Sequence, residues 1–169
     1  MENIILIGMP GCGKSTVGVI LAKIMGYRFL DSDLLIQEKE NKLLSEIIAC
    51  EGLDGFNRIE NRVNASIDVN RSVIATGGSV VYGKDAMEHF KKIGIIVYIR
   101  LPYEEIANRL GDLTKRGVSI KDGQTLLDLY NERVPLYEKY ADIIIDENGM
   151  TIPETALTIK TEYDKLKEE

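Results

Sequence analysis

The chain has 169 residues, of which 44% are hydrophobic and 28% charged, and its 21 basic and 27 acidic residues leave a net charge of −6. That length suits one compact domain with a real core, expected to span residues 1–169. The acidic balance argues against a broad nucleic-acid surface, and no run approaches the roughly 18–20 uninterrupted apolar residues of a membrane span.

The N-terminus "MENIILIGMPG" has neither a basic leader nor a small-residue cleavage site, so its apolar run reads as a first strand and the expected compartment is the cytoplasm. Next comes "GMPGCGKS", and then Val17, Ile20, Leu21, Ile24 and Met25 at the spacing of one helical face, with Gly26 as the stop. "YRFLDSD" reads as a second strand ending in acids. "LLIQEKENKLLSEIIACEG" and "GFNRIENRVNASID" read as helices separated by Gly52 and Gly55. "SVIATGGS" is a third strand running into a double glycine, "GKDAMEHFKKIG" a helix, and "IIVYIRLP" a fourth strand ended by Pro102. "YEEIANRL" begins a helix that gives way to the polar stretch "GDLTKRGVSIKDGQ". "TLLDLYNERVPLYEKYA" resumes a helix, kinked or interrupted near Pro135. "DIIID" is a fifth strand, and Pro153 stands near the start of a last helix.

Strands alternating with helices at this length indicate an α/β architecture: a parallel sheet covered on both faces, with ligands gathering at the carboxyl ends of its strands. "GMPGCGKS", "DSD" and "TGGS" all fall at such ends. Cys12 and Cys50 form no CxxC pair and are expected to be reduced thiols, and His89 is expected at the surface.

Gly8, Gly13, Lys14 and Ser15 satisfy G-x-x-x-x-G-K-[ST] between a strand and a helix. In such a loop the backbone N–H groups of residues such as Gly11, Cys12, Gly13 and Thr16 turn toward phosphates. The lysine reaches the terminal phosphates and the hydroxyl ligates Mg²⁺. No N-K-x-D guanine signature is present, since Asn41 and Lys42 are followed by two leucines. Neither "SVIATGG" nor "IIVYIRL" carries the usual four apolar residues before an aspartate. Asp31 and Asp33 supply carboxylates instead, one for the magnesium shell and the other facing an acceptor hydroxyl, although a helix N-cap also explains such acids. Gly77 and Gly78 form either a plain turn or a close approach to a bound molecule.

With "GMPGCGKST", "FLDSD", "GFNRIE", "ATGGS", "LGDLTKRGVS" and "ERVPLYEKYAD" in this order, the chain resembles the shikimate kinase family over nearly its whole length. The resemblance implies a three-layer α/β/α P-loop kinase fold with a five-stranded parallel sheet and a mobile lid at about 111–123. It also implies transfer of the γ-phosphoryl group of ATP, with Mg²⁺, to the 3-hydroxyl of shikimate. By resemblance, Asp33 would orient or deprotonate that hydroxyl, Asp31 and Ser15 would serve the magnesium ion, and Gly77, Gly78 and Arg133 would hold the substrate. Lys14 and Arg116 would neutralise phosphate charge, with Arg109 and Pro153 near the adenine. A small-molecule substrate and a monomer are expected.

Three positions depart from the family pattern. Asn57 follows Phe56 where the family has an arginine that clamps the substrate carboxylate, and Arg58, one place later, is the candidate replacement, about 100° further round a helix. Ser79 stands for the third glycine of G-G-G, and "RGVS" replaces R-P-L-L in the lid. All three touch the acceptor side or the lid. Two rivals therefore stand beside the leading expectation: a related kinase with another hydroxylated acceptor, and a nucleotide-binding switch with little transfer activity.

Overall fold

The computed structural model describes residues 2–111, 118 and 120–168. Its five strands are β1 (Asn3–Ile7), β2 (Arg28–Asp31), β3 (Ser72–Ala75), β4 (Gly94–Arg100) and β5 (Ile143–Asp146). They pair in parallel in the order β2-β3-β1-β4-β5. The α-helices among the described residues are α1 (Lys14–Met25), α2 (Ser32–Glu40), α3 (Leu44–Ala65), α4 (Lys84–Ile93), α5 (Tyr103–Leu110), α6 (Leu126–Tyr140) and α7 (Ile152–Glu168).

β1 explains why the sheet is sandwiched. Side chains alternate faces along a strand, yet Ile4, Ile5, Leu6 and Ile7 are all fully buried, so both faces of the central strand are covered. The α1 and α7 helices pack together, as do α3 and α4. Gly18 permits the close seat of α1: a Cβ there would stand 2.7 Å from the Phe29 ring and 3.3 Å from Leu6. Ile36, Ile47, Phe56 and Val63 form a smaller core that ties α2 to α3 beside the main one.

Several expectations shift in detail. The first of the two long helices divides, because Asn41 adopts a left-handed φ of 51° and ends α2. The expected break at Gly52 is present, since its φ of 69° and ψ of 178° are non-helical and divide α3 into two helical stretches across a kink, whereas Gly55 lies within the helix. Pro135 does not interrupt α6. It faces solvent, while Arg133 and Tyr137, one turn apart, are buried on the inner face and hold the helix through the single missing N–H. His89 is half-buried rather than superficial, its Nε2 lying 2.6 Å from the Ile67 carbonyl oxygen. Both cysteines are free thiols, Cys12 buried and Cys50 exposed. No described helix is long and apolar enough to cross a membrane.

Asn3 fastens the amino end of the central strand. Its amide nitrogen donates to the carbonyls of Val69 (2.8 Å) and Ile93 (2.9 Å), and its oxygen accepts from the Ser72 amide at 3.0 Å. Asn3→Ala would strand these buried partners and should cost about 2–4 kcal/mol, read as a lower urea midpoint with an unchanged slope. An unchanged midpoint would show that the three bonds do not hold the strand.

Candidate active site

The loop between β1 and α1 wraps the ammonium group of Lys14. The Lys14 Nζ donates to the carbonyls of Gly8 at 2.7 Å and Met9 at 2.9 Å, with the Cys12 sulfur 3.7 Å away. The side chain is only 7% exposed, so these carbonyls stand in for water. Gly13 caps the helix in a left-handed conformation, φ 87° and ψ 21°, a geometry that favours glycine, and presents the positive end of α1 to the adjoining cavity. Burial pushes the Cys12 thiol up, against the lowering effect of Lys14.

β2 lies two strands from β1, and its carboxyl end delivers two aspartates with separate tasks. Asp31 caps α2, its Oδ1 accepting from the amides of Asp33 (2.9 Å) and Leu34 (3.3 Å), so the capping role is present. Its Oδ2 also accepts from the Ser15 hydroxyl at 3.0 Å, which joins β2 to the loop. Asp33, in the first turn of α2, lines the cavity instead. Burial and the charge of Asp31 raise its carboxyl above the usual range, opposed by Lys14.

A second carboxylate meets Asp33 over Gly77. A Cβ on that glycine would stand 2.8 Å from both Asp33 Oδ1 and Glu60 Oε2, so a side chain at this position would push the two carboxylates out of place. Glu60 is 2% exposed; its Oε1 accepts from the Ser79 hydroxyl at 2.6 Å, while Oε2 has no hydrogen-bond partner. Burial pushes its carboxyl up to about 7, aided by Asp33 and opposed by Ser79, Arg133 and Lys14. Gly78 is equally constrained, since a Cβ there would come within 2.9 Å of an Arg133 guanidinium nitrogen and 2.7 Å of Pro10.

Arg133, on α6, is 2% exposed. It lies over the Tyr82 ring at 5.4 Å and donates from Nε to the Tyr82 hydroxyl at 3.3 Å. The Tyr82 hydroxyl in turn donates to Glu132 at 2.6 Å. Tyr137, one turn along, donates to the Gly78 carbonyl at 2.6 Å and stacks on Tyr98. The α6 helix is thereby tied to the double-glycine turn.

These elements enclose one cavity of about 570 Å³, lined among others by Gly13, Lys14, Asp33, Glu60, Gly77 and Arg133. Gly11, Ser15, Thr16 and Gly78 line it too. Four sequence candidates are placed differently. Cys12 is fully buried behind the loop, and its N–H already donates to the Met9 carbonyl at 3.2 Å. Arg58 is exposed and does not line the cavity: Phe56 and Glu60, four residues apart, share the inner face of α3, which turns Arg58 outward. Arg109 pairs with Glu105 at 2.9 Å and with the buried Glu147 at 3.5 Å, its Cβ 3.8 Å from the Cβ position of Gly11. Pro153 is exposed, and the adjacent Ile152 is the residue that approaches Gly13. Arg116 and most of the expected lid at 111–123 lie outside the described residues. Glu60 was not among the sequence candidates, although its place four residues after the apolar Phe56 put it on the inward face.

The donor set suits a nucleotide phosphate with a hard divalent cation. Glycine backbone and a buried ammonium line one end, and the Ser15 hydroxyl and Asp31 carboxylate offer oxygens side by side. No group of three or more His, Cys, Asp and Glu among the described residues can hold a metal ion. Phosphate and water oxygens would therefore complete the shell, as is usual for Mg²⁺.

A sequence model of the shikimate kinase family matches residues 10–164. A shikimate kinase of Clostridium botulinum is 38% identical over 172 residues, covering 99% of each chain. One from Thermodesulfovibrio yellowstonii is 38% identical over 169 residues, covering 98% of this chain and 97% of its own. Among solved structures, shikimate kinase from Acinetobacter baumannii in complex with shikimate superposes with a TM-score of 0.88 at 33% identity, covering 100% of this chain and 96% of that one. With its parallel five-stranded sheet, phosphate loop and facing aspartates, the chain belongs to the shikimate kinase family.

Proposed function

We propose that this chain transfers the γ-phosphoryl group of ATP to the 3-hydroxyl of shikimate, a step on the route to the aromatic amino acids. The observation that carries the proposal is the meeting of Lys14, Asp33 and Arg133 on the wall of one cavity, which brings together a buried ammonium, a carboxylate and a buried guanidinium.

Phosphoryl transfer passes through a loose transition state, so the protein's work is placement and charge neutralisation. The loop from Gly11 to Thr16 would seat the donor phosphates, with Lys14 facing the β- and γ-oxygens. Ser15 and Asp31 would hold Mg²⁺, which draws charge from the phosphate oxygens. Arg109 and Ile152, which approach Gly11 and Gly13 of the loop, would lie beside the nucleotide, and Arg116 is assigned to the phosphates by family resemblance. On the acceptor side Arg133 would hold the shikimate carboxylate, with Gly77 and Gly78 letting the ring approach the backbone. Asp33 would accept the proton of the 3-hydroxyl as its oxygen bonds to phosphorus and the bond to ADP breaks. A carboxyl raised by burial and by Asp31 is a stronger base than an exposed one. Cytoplasmic location and a monomeric state remain part of this reading.

Asp33→Asn removes the proton acceptor and should lower kcat by about 10²–10⁴-fold while ATP affinity stays within a few-fold, measured by coupled ADP release and nucleotide titration. Full turnover would place the base elsewhere. For Arg133→Ala, the shikimate KM should rise by at least about tenfold with the ATP KM little changed, and equal rises in both would point to a structural defect. Shikimate, among a panel of hydroxylated acids, should be the compound that stimulates ADP release.

Glu60 also makes a pH prediction. Its carboxyl is raised to about 7 in the folded chain, so between the ordinary carboxylate range and pH 7 the folded state binds more protons than the unfolded one. Stability is then fully present at low pH and declines as pH rises through about 7, by on the order of 1–3 kcal/mol. Glu60→Gln should flatten this decline and raise the melting temperature at pH 8 relative to the parent. A parent-like profile between pH 5 and 8 would show that Glu60 is already ionised.

A further inference from the structure

A smaller recess of about 230 Å³ adjoins the main cavity and shares Arg133 with it. Its walls include Asn57, Tyr82, Lys121, Gln124 and Glu132. Asn57 occupies the position after Phe56 where the family pattern has a cation, and its Oδ1 is buried without a hydrogen-bond partner. Glu132 is already committed, accepting from Tyr82 at 2.6 Å and from the Gln124 amide at 2.9 Å, contacts that hold its carboxyl below the usual range. The Lys121 ammonium makes no hydrogen bond or close ion pair among the described residues, although its charge helps to lower the Glu132 carboxyl; its backbone is anchored by the Gln124 N–H, which donates to its carbonyl at 3.0 Å.

The charge balance of the acceptor side turns on this lysine. Asp33 and Glu60 line the main cavity, Asp54 and Glu132 line the recess, and Lys14 is held by the phosphate loop. That leaves Arg133 facing both the existing carboxylates and an incoming one. A buried carboxylate without a full complement of cations carries a large desolvation penalty. The remaining cation on the recess wall is Lys121.

We infer that Lys121 and Arg133 together hold the carboxylate of the acceptor, with the Asn57 amide beside them, so that Lys121 supplies from the start of the segment leading into α6 the charge that α3 lacks at position 57. This specificity-determining role rests on the phosphorylation of shikimate proposed above.

The test compares shikimate with its carboxamide, which is neutral at the same position, in the parent chain, in Lys121→Met and in Asn57→Arg/Lys121→Met. Lys121→Met should raise the shikimate KM by about 10–50-fold while the ATP KM stays within twofold. The carboxamide KM should move less than about threefold in the same variant. Adding Asn57→Arg should recover at least a fivefold part of the lost shikimate affinity, a rescue that a purely structural role for Lys121 does not predict. An unchanged shikimate KM in Lys121→Met, or equal changes for the acid and the amide, would overturn the inference. Absence of shikimate turnover in the parent chain would overturn the functional reading itself, and this inference with it.

Discussion

Burial of the Lys14 ammonium is the constraint around which the rest of the site is arranged. A full positive charge that is 7% exposed needs replacement for its water, and the Gly8 and Met9 carbonyls provide it. Those carbonyls point inward only because the loop turns sharply, with positive φ at Gly8 and Gly13. The same turn aims the amino end of α1 across the cavity. In a chain with a net charge of −6, this local positive centre also lets carboxylates gather nearby. Asp33 and Glu60 converge on Gly77, and Lys14 lowers the carboxyl pKa of both.

Sheet topology sets which groups can meet. With the order β2-β3-β1-β4-β5, the carboxyl ends of β2, β3 and β1 are neighbours, although their residues are far apart in sequence. The register puts Asp31 opposite Ala75 and Leu6 opposite the same residue, so the aspartate turn, the double glycine and the phosphate loop leave the sheet at one level. Ser15 bonding to Asp31 closes that arc from β1 back to β2. The α6 helix completes it from the far end of the chain, through Tyr137 on the Gly78 carbonyl.

Much of this was legible in the residues. The five strands, the loop and the two aspartates announce themselves through apolar runs, glycine spacing and acids at strand ends, all local signals. Features that depend on packing were not legible. Pro135 reads as a helix breaker, yet two buried neighbours on the inner face carry α6 through it. Arg58 reads as a substitute clamp, but the buried pair Phe56 and Glu60 decides which way α3 faces. Cys12 belongs to the loop motif, while its N–H is taken by Met9. Glu60 is hard to read from the residues alone, because its burial and its meeting with Asp33 over Gly77 depend on packing. The departures at 57 and 79 become intelligible only in three dimensions: Ser79 bonds Glu60, and Asn57 shares a recess with Lys121.

The central claim is that a nucleotide end and an acceptor end lie side by side within one cavity above β2, β3 and β1. Backbone amide chemical shifts recorded during successive titration with ADP and shikimate test it most directly. ADP should move Gly11, Gly13, Lys14, Ser15 and Thr16, and shikimate added afterwards should move Asp33, Gly77, Gly78 and Arg133 without displacing the nucleotide. Shikimate shifts confined to residues remote from Asp33 and Gly77, or competition between the two ligands for the loop, would contradict it.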